Sequence, residues 1–140
     1  MIVDANVVLR AFFEDEAQAQ AQALVRDHVT HRLTLEAPTL LAYELANAVW
    51  QAERRGRIRS VKAIEILQAM DNLDIHMQQV RWEESLPLAR QFNTSAYDAC
   101  YLALADLKGR PLVTGDLSLY HAVRTRLSWV QWIEDYRSPD

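Results

Sequence analysis

Short apolar runs alternate with longer stretches in which apolar side chains recur at helical spacing. Ile2-Val3 reads as a strand over residues 1–4, and Val7-Val8-Leu9 continues the apolar run beyond Asp4. Residues 16–28 are an Ala/Gln-rich helix-forming stretch with a weak stripe of Ala19, Ala23 and Leu24. Residues 33–37 predict a second strand, closed by Pro38. Leu41, Leu45, Ala48, Val49 and Ala52 then share one helix face, and Gly56 stands where a helix-ending glycine belongs. Ser60 is placed to cap a further helix with Val61, Ile64, Leu67 and Met70 inward. Residues 74–80 predict a third strand, and residues 86–92 a helix that tolerates Pro87 in its first turn. Ser95 and Asp98 have the spacing of a capping box at the head of a strong helix that runs to Lys108 and stops at Gly109. Leu112-Val113-Thr114, a short helix over residues 119–126 and a strand over residues 129–133 complete the series.

Strand and helix alternate throughout, which predicts an α/β fold with a parallel sheet covered on both faces. With 140 residues and only three Gly and four Pro, the chain has no composition for a linker, so residues 1–140 read as one domain. The net charge of −4 gives no general attraction to nucleic acid or membrane, so a polyanionic substrate would need local cations or a bound metal. Cys100 is the sole cysteine, which excludes an internal disulfide and suits a reducing, cytoplasmic setting. No apolar stretch approaches the ~20 residues of a membrane span, and the first residues lack the pattern of a signal peptide.

Four acids have informative positions. Asp4 ends the first strand between apolar neighbours, where an unpaired charge costs several kcal/mol, roughly. Asp116 follows the strand Leu112-Val113-Thr114, with Gly115 giving the backbone room to turn. Asp98 falls in the first turn of its helix, and Glu44 at the edge of the apolar stripe of its own. Ligands of parallel α/β sheets gather outside the carboxyl ends of the strands, so the four can meet there. Each also has a plain structural reading: a cap for Asp98, a turn or cap residue for Asp116, a surface glutamate for Glu44. Asp4 has no such routine role.

Taken together, "VDANVVLRAF", "ELANAVW", "SAYDACYLALA" and "LVTGDLSL" resemble the motif series of the PIN-domain nucleases, above all the VapC-type toxins of bacterial toxin–antitoxin pairs. The resemblance spans Asp4 to Asp116 and implies a three-layer α/β/α sandwich around a mainly parallel sheet. It implies a Mg²⁺- or Mn²⁺-dependent endoribonuclease, in which Asp4, Glu44, Asp98 and Asp116 are the acidic quartet. Carboxylates are the hard oxygen ligands these ions prefer, and an ion among them supplies the activated water that phosphodiester hydrolysis needs. Asp4 and Asp98 are then expected as primary metal ligands, with Asp116 completing the site and Glu44 holding a water or acting as general base. Asn6 and Thr114 match the family's polar companions and would orient the carboxylates or waters. RNA as substrate, a cognate antitoxin and a homodimer are implied as partners, with Phe12, Phe13 and the helix of Leu41 and Leu45 as docking surface.

Arg54, Arg55, Arg57, Arg59 and Lys62 crowd one span and could meet RNA phosphates, as could Arg10 on the loop expected after the first strand. A solvated helix end accounts for the same cluster. His28, His31, His76 and His121 show no ligand spacing and read as structural or surface residues, and core or interface packing accounts for most of the four tryptophans. The competing function is a PIN-like interaction module with weak catalysis. A phosphatase of the haloacid-dehalogenase type needs an aspartate where Asn6 stands, and the acid pattern of a receiver domain is missing.

Overall fold

The computed structural model describes residues 1–140. Its five strands are β1 (Ile2–Val3), β2 (Glu36–Pro38), β3 (His76–Gln78), β4 (Leu112–Thr114) and β5 (Val130–Trp132). All pair in parallel, in the order β3-β2-β1-β4-β5, with Ile2 level with both Glu36 and Leu112. Seven helices connect them: α1 (Ala5–Phe12), α2 (Ala19–Val29), α3 (Leu40–Arg54), α4 (Ser60–Asp71), α5 (Trp82–Phe92), α6 (Ala96–Lys108) and α7 (Leu117–Val123). Helix α1 packs on both α2 and α3, α3 packs on α4, and α5 packs on α6, which crosses back over β2, β1 and β4. Right-handed crossovers put outward-running and returning connections on opposite faces, which makes the α/β/α sandwich. The strands are short but fully apolar at the centre: Ile2, Val3, Leu112 and Val113 are completely buried. No helix is long and apolar enough to cross a membrane.

Several local expectations are corrected. Val7-Val8-Leu9 belongs to α1, so Arg10 lies on a helix and not on a loop. A three-residue apolar run fits either period, and here Ala5, Val7 and Val8 make the buried side of a helix. Helix α2 begins at Ala19, after a 3₁₀ turn over Glu14–Glu16. Pro38 lies within β2, not after it; the adjoining Thr39 N–H bonds Gln78 O at 2.9 Å, so the missing donor is not needed. Helix α4 is capped at Arg59 and turns Ala63, Ile66 and Met70 inward, leaving Val61 and Ile64 71% and 57% exposed. Helix α5 starts at Trp82, so Pro87 falls in its second turn and the Glu83 carbonyl forgoes its helical partner. Helix α7 starts at Leu117 and ends at Val123, and β5 is one residue shorter at each end. Phe13, Leu41 and Leu45 are core residues, so they are not a docking surface.

At the amino end of the sheet the buried Glu36 is held by Lys108 Nζ at 2.6 Å and Arg110 Nη1 at 2.8 Å. Burial pushes its carboxyl up, but the Lys108 hydrogen bond and the two cations prevail and hold it below the usual glutamate range. A depressed acid contributes stability above its unfolded pKa and loses it on acidification. Glu36→Gln is therefore expected to lower the urea-unfolding free energy near neutral pH by about 1 kcal/mol, since water reaches both cations. The difference should close as pH falls below about 4.5.

Candidate active site

The strand order reverses between β1 and β4, and this is where α/β sheets bind ligands. Asp4 and Asp116 follow these two strands. The Asp4 N–H makes the last ladder bond, to Val113 O at 3.1 Å, and the chain then turns into α1. Asp4 occupies the N-cap position of α1, yet its carboxylate makes no cap bond. It turns instead toward β4, where Oδ2 accepts from Thr114 Oγ1 at 2.7 Å and Asn6 Nδ2 at 2.9 Å. Asp4 is only 4% exposed. Burial above all, then the charges of Asp98 and Glu44, raise its pKa to about 7 against the opposing pull of those two hydrogen bonds.

Asn6 and Thr114 each do two things. Thr114 Oγ1 accepts the Asp116 N–H at 3.0 Å while donating to Asp4, and Asn6 Oδ1 accepts the Gly115 N–H at 2.7 Å. Arg10 closes the turn by donating from Nη2 to Gly115 O at 2.8 Å, with its guanidinium 6.0 Å from the centre of the Trp132 ring. A Cβ on Gly115 would stand 2.9 Å from Arg10 Cζ and Nη1 and 3.0 Å from Asn6 Oδ1, so glycine alone fits this packing without a shift. Asp116 Oδ1 caps α7 by accepting the Leu119 N–H at 3.1 Å. The turn-and-cap role expected of Asp116 thus coexists with its charge acting on Asp98.

Glu44 and Asp98 come from α3 and α6. Both are half-buried, and both carboxyls are raised, first by burial; the charge of Asp98 adds to this for Glu44, that of Asp116 for Asp98. Asp98 does not cap its helix. Ser95 does so, accepting the Asp98 N–H at 3.0 Å, and the Ser95 hydroxyl tempers the rise at Asp98. The hydroxyl of buried Tyr101 donates to Glu44 Oε1 at 2.8 Å. Sequence reasoning missed this residue, because a tyrosine inside an apolar helix reads as core. None of the four acids is in a salt bridge, and no cation is among the charges acting on Asp4, Glu44 or Asp98.

Four carboxylates from four elements act on one another with no facing cation, a concentration of negative charge that a hard divalent ion would offset. No group of three or more His, Cys, Asp or Glu side chains stands in a ready metal-holding arrangement. Both protein donors to Asp4 use Oδ2, which leaves Oδ1 as the free oxygen.

The expected basic residues fall in different settings. Arg54 and Arg55 are exposed at the far end of α3, ten residues and so about 15 Å along the axis from Glu44. Arg54 lies over Trp50. Arg57 is paired to Asp15 at 2.8 Å and Glu16 at 3.2 Å, which spends much of its charge within the protein. His28 bridges Leu35 N–H and Leu73 O and is structural. Trp82, 86% exposed, and Trp50 lie outside the core. An apolar cleft of about 530 Å³ runs past Leu40, Tyr43, Trp82, Leu86 and Tyr97, next in sequence to Glu44 and Asp98.

Known proteins resemble this chain in sequence and in fold. A family model described as PIN domain matches residues 1–124. Ribonuclease VapC3 of Pyrobaculum aerophilum is 30% identical over 123 residues, which cover 85% of this chain and 91% of that protein. Ribonuclease VapC9 of Mycobacterium tuberculosis is 31% identical over 119 residues, covering 85% and 87%. The crystal structure of PAE2754 from Pyrobaculum aerophilum superposes with a TM-score of 0.72 at 25% identity, over 95% of this chain and 90% of that one.

Proposed function

The chain belongs to the PIN-domain family, and from that premise we propose that it is the toxin of a toxin–antitoxin pair, an endoribonuclease hydrolysing RNA phosphodiester bonds with Mg²⁺ or Mn²⁺. The observation that carries this reading is the mutual influence of the acids, Asp98 and Glu44 on Asp4 and Asp116 on Asp98, with Asp4 buried and facing no cation. Asp4 and Asp98 would hold the ion, with Asp116 completing the site. When bound, the ion would screen the carboxylates from the RNA phosphate and make a water acidic enough to attack near neutral pH.

The chain's own residues supply the rest. Thr114 and Asn6 fix one oxygen of Asp4 and leave the other for ligation. Arg10, Asn6 and Gly115 hold the turn that carries Asp116. The Glu44 carboxyl, raised by burial, suits a proton acceptor for the attacking water better than an exposed glutamate would. Exposed Arg54 and Arg55 would take phosphates of the strand beyond the cleavage point, with Arg57 contributing less because of its ion pairs, and the free N–H groups of Arg10 would serve nearer the acids. A cognate antitoxin and a second copy of the chain are the protein partners of this reading, and Tyr43, Trp82 and Tyr97 around the cleft are large side chains for them to cover.

Protein purified free of antitoxin is expected to cut structured RNA with Mn²⁺, to stop when EDTA is added, and to resume when the ion is restored in excess. Cleavage indifferent to EDTA would remove the metal from the proposal. No cleavage at all would favour the interaction module, a reading to which the exposed apolar cleft lends its weight.

A further inference from the structure

Helix α6 carries Asp98 and Tyr101 three residues apart, hence on one face. Asp98 reaches the acid cluster directly. Tyr101 is 1% exposed, its ring is fixed in the core, and its hydroxyl makes the one hydrogen bond that the Glu44 side chain receives. Glu44 is half-buried on a different helix and has three rotatable bonds. Without that bond its carboxylate would trade its place beside the aspartates for water, because ordering a long side chain carries an entropy cost that something must offset. A catalytic group displaced by ~1 Å can lose ~10²-fold in rate.

We propose that Tyr101 is a positioning residue, whose hydroxyl holds the Glu44 carboxylate in the orientation that catalysis uses. The assignment rests on the reading of Glu44 as proton acceptor or water-holder in RNA hydrolysis. It differs from a plain structural role, in which the hydroxyl merely finds a partner because buried polar groups need one. Tyr101 then acts through Glu44, and its effect vanishes when Glu44 no longer functions.

A double-mutant cycle separates the two. Cleavage of a defined RNA with Mn²⁺ is measured for the unaltered protein, Tyr101→Phe, Glu44→Gln and the pair. Tyr101→Phe keeps the buried ring and is expected to lower kcat about tenfold or more, with KM changed less than about twofold. Glu44→Gln is expected to lower kcat further, and the pair to be no slower than Glu44→Gln alone. Glu44→Asp, too short to reach the phenol, supplies a second background on which Tyr101→Phe should add nothing, and thermal melts of each variant report folding. An unchanged kcat for Tyr101→Phe, or losses that multiply in the pair, overturns the assignment while leaving the nuclease reading intact. An unchanged kcat for Glu44→Gln overturns the role given to Glu44, and the assignment of Tyr101 with it.

Discussion

Asp4→Asn is expected to lower the single-turnover rate of RNA cleavage by roughly 10³-fold or more, while far-UV circular dichroism and chromatographic behaviour stay unchanged. The fold survives because both donors to Asp4 converge on one oxygen, Asn6 Nδ2 at 2.9 Å and Thr114 Oγ1 at 2.7 Å. An amide carbonyl can occupy that position and accept both bonds, with its NH₂ in place of the other oxygen. What disappears is the charge, and with it the oxygen that would ligate an ion. A variant that cuts RNA at the normal rate would remove Asp4 from the chemistry. Thr114→Ser, which keeps the hydroxyl donor, should stay active and controls for general disturbance of β4.

The same substitution should move stability the other way. Burial, then Asp98 and Glu44, raise the Asp4 pKa from 3.8 to about 7. The folded protein therefore binds this proton more tightly than the unfolded chain, so the Asp4 contribution favours folding at low pH. It is lost as pH rises from about 4 to about 7, and stays lost above. Asparagine does not ionise and escapes that loss. In EDTA, the unfolding free energy of Asp4→Asn relative to the unaltered protein should thus climb across this window, by roughly 4 kcal/mol. Saturating Mn²⁺ should shrink the gap at neutral pH by binding the folded, ionised form of the unaltered protein. Urea titrations at several pH values, with and without the ion, measure both effects. A gap that does not vary with pH would mean that Asp4 ionises like an exposed aspartate.

Where local chemistry sets an element, the sequence was enough to read it. Helix α6 has its cap in Ser95 and its stop in Gly109, whose φ of 61° suits glycine. The strand ends that carry Asp4 and Asp116 were visible as apolar runs that break at an acid. Helix α1 was not visible, because its cap position is filled by an acid whose side chain is committed to β4. The inward face of α4 was misread because small Ala63 is buried where Val61 and Ile64 are not; residue size does not reveal which side meets α3. Partnerships across long sequence separations were equally hidden. Tyr101 and Glu44 are 57 residues apart, Arg57 and Asp15 42, Arg10 and Gly115 105. No periodicity records such pairs, since they exist only after the elements dock.

The bond from Thr114 to Asp4 spans 110 residues, and β4 lies between β1 and β5 in the sheet. A nascent chain still threaded through the ribosome therefore has no assembled centre, however long ago its first strand emerged. A fragment that stops before β4 lacks both the Thr114 hydroxyl that holds Asp4 and Asp116 itself.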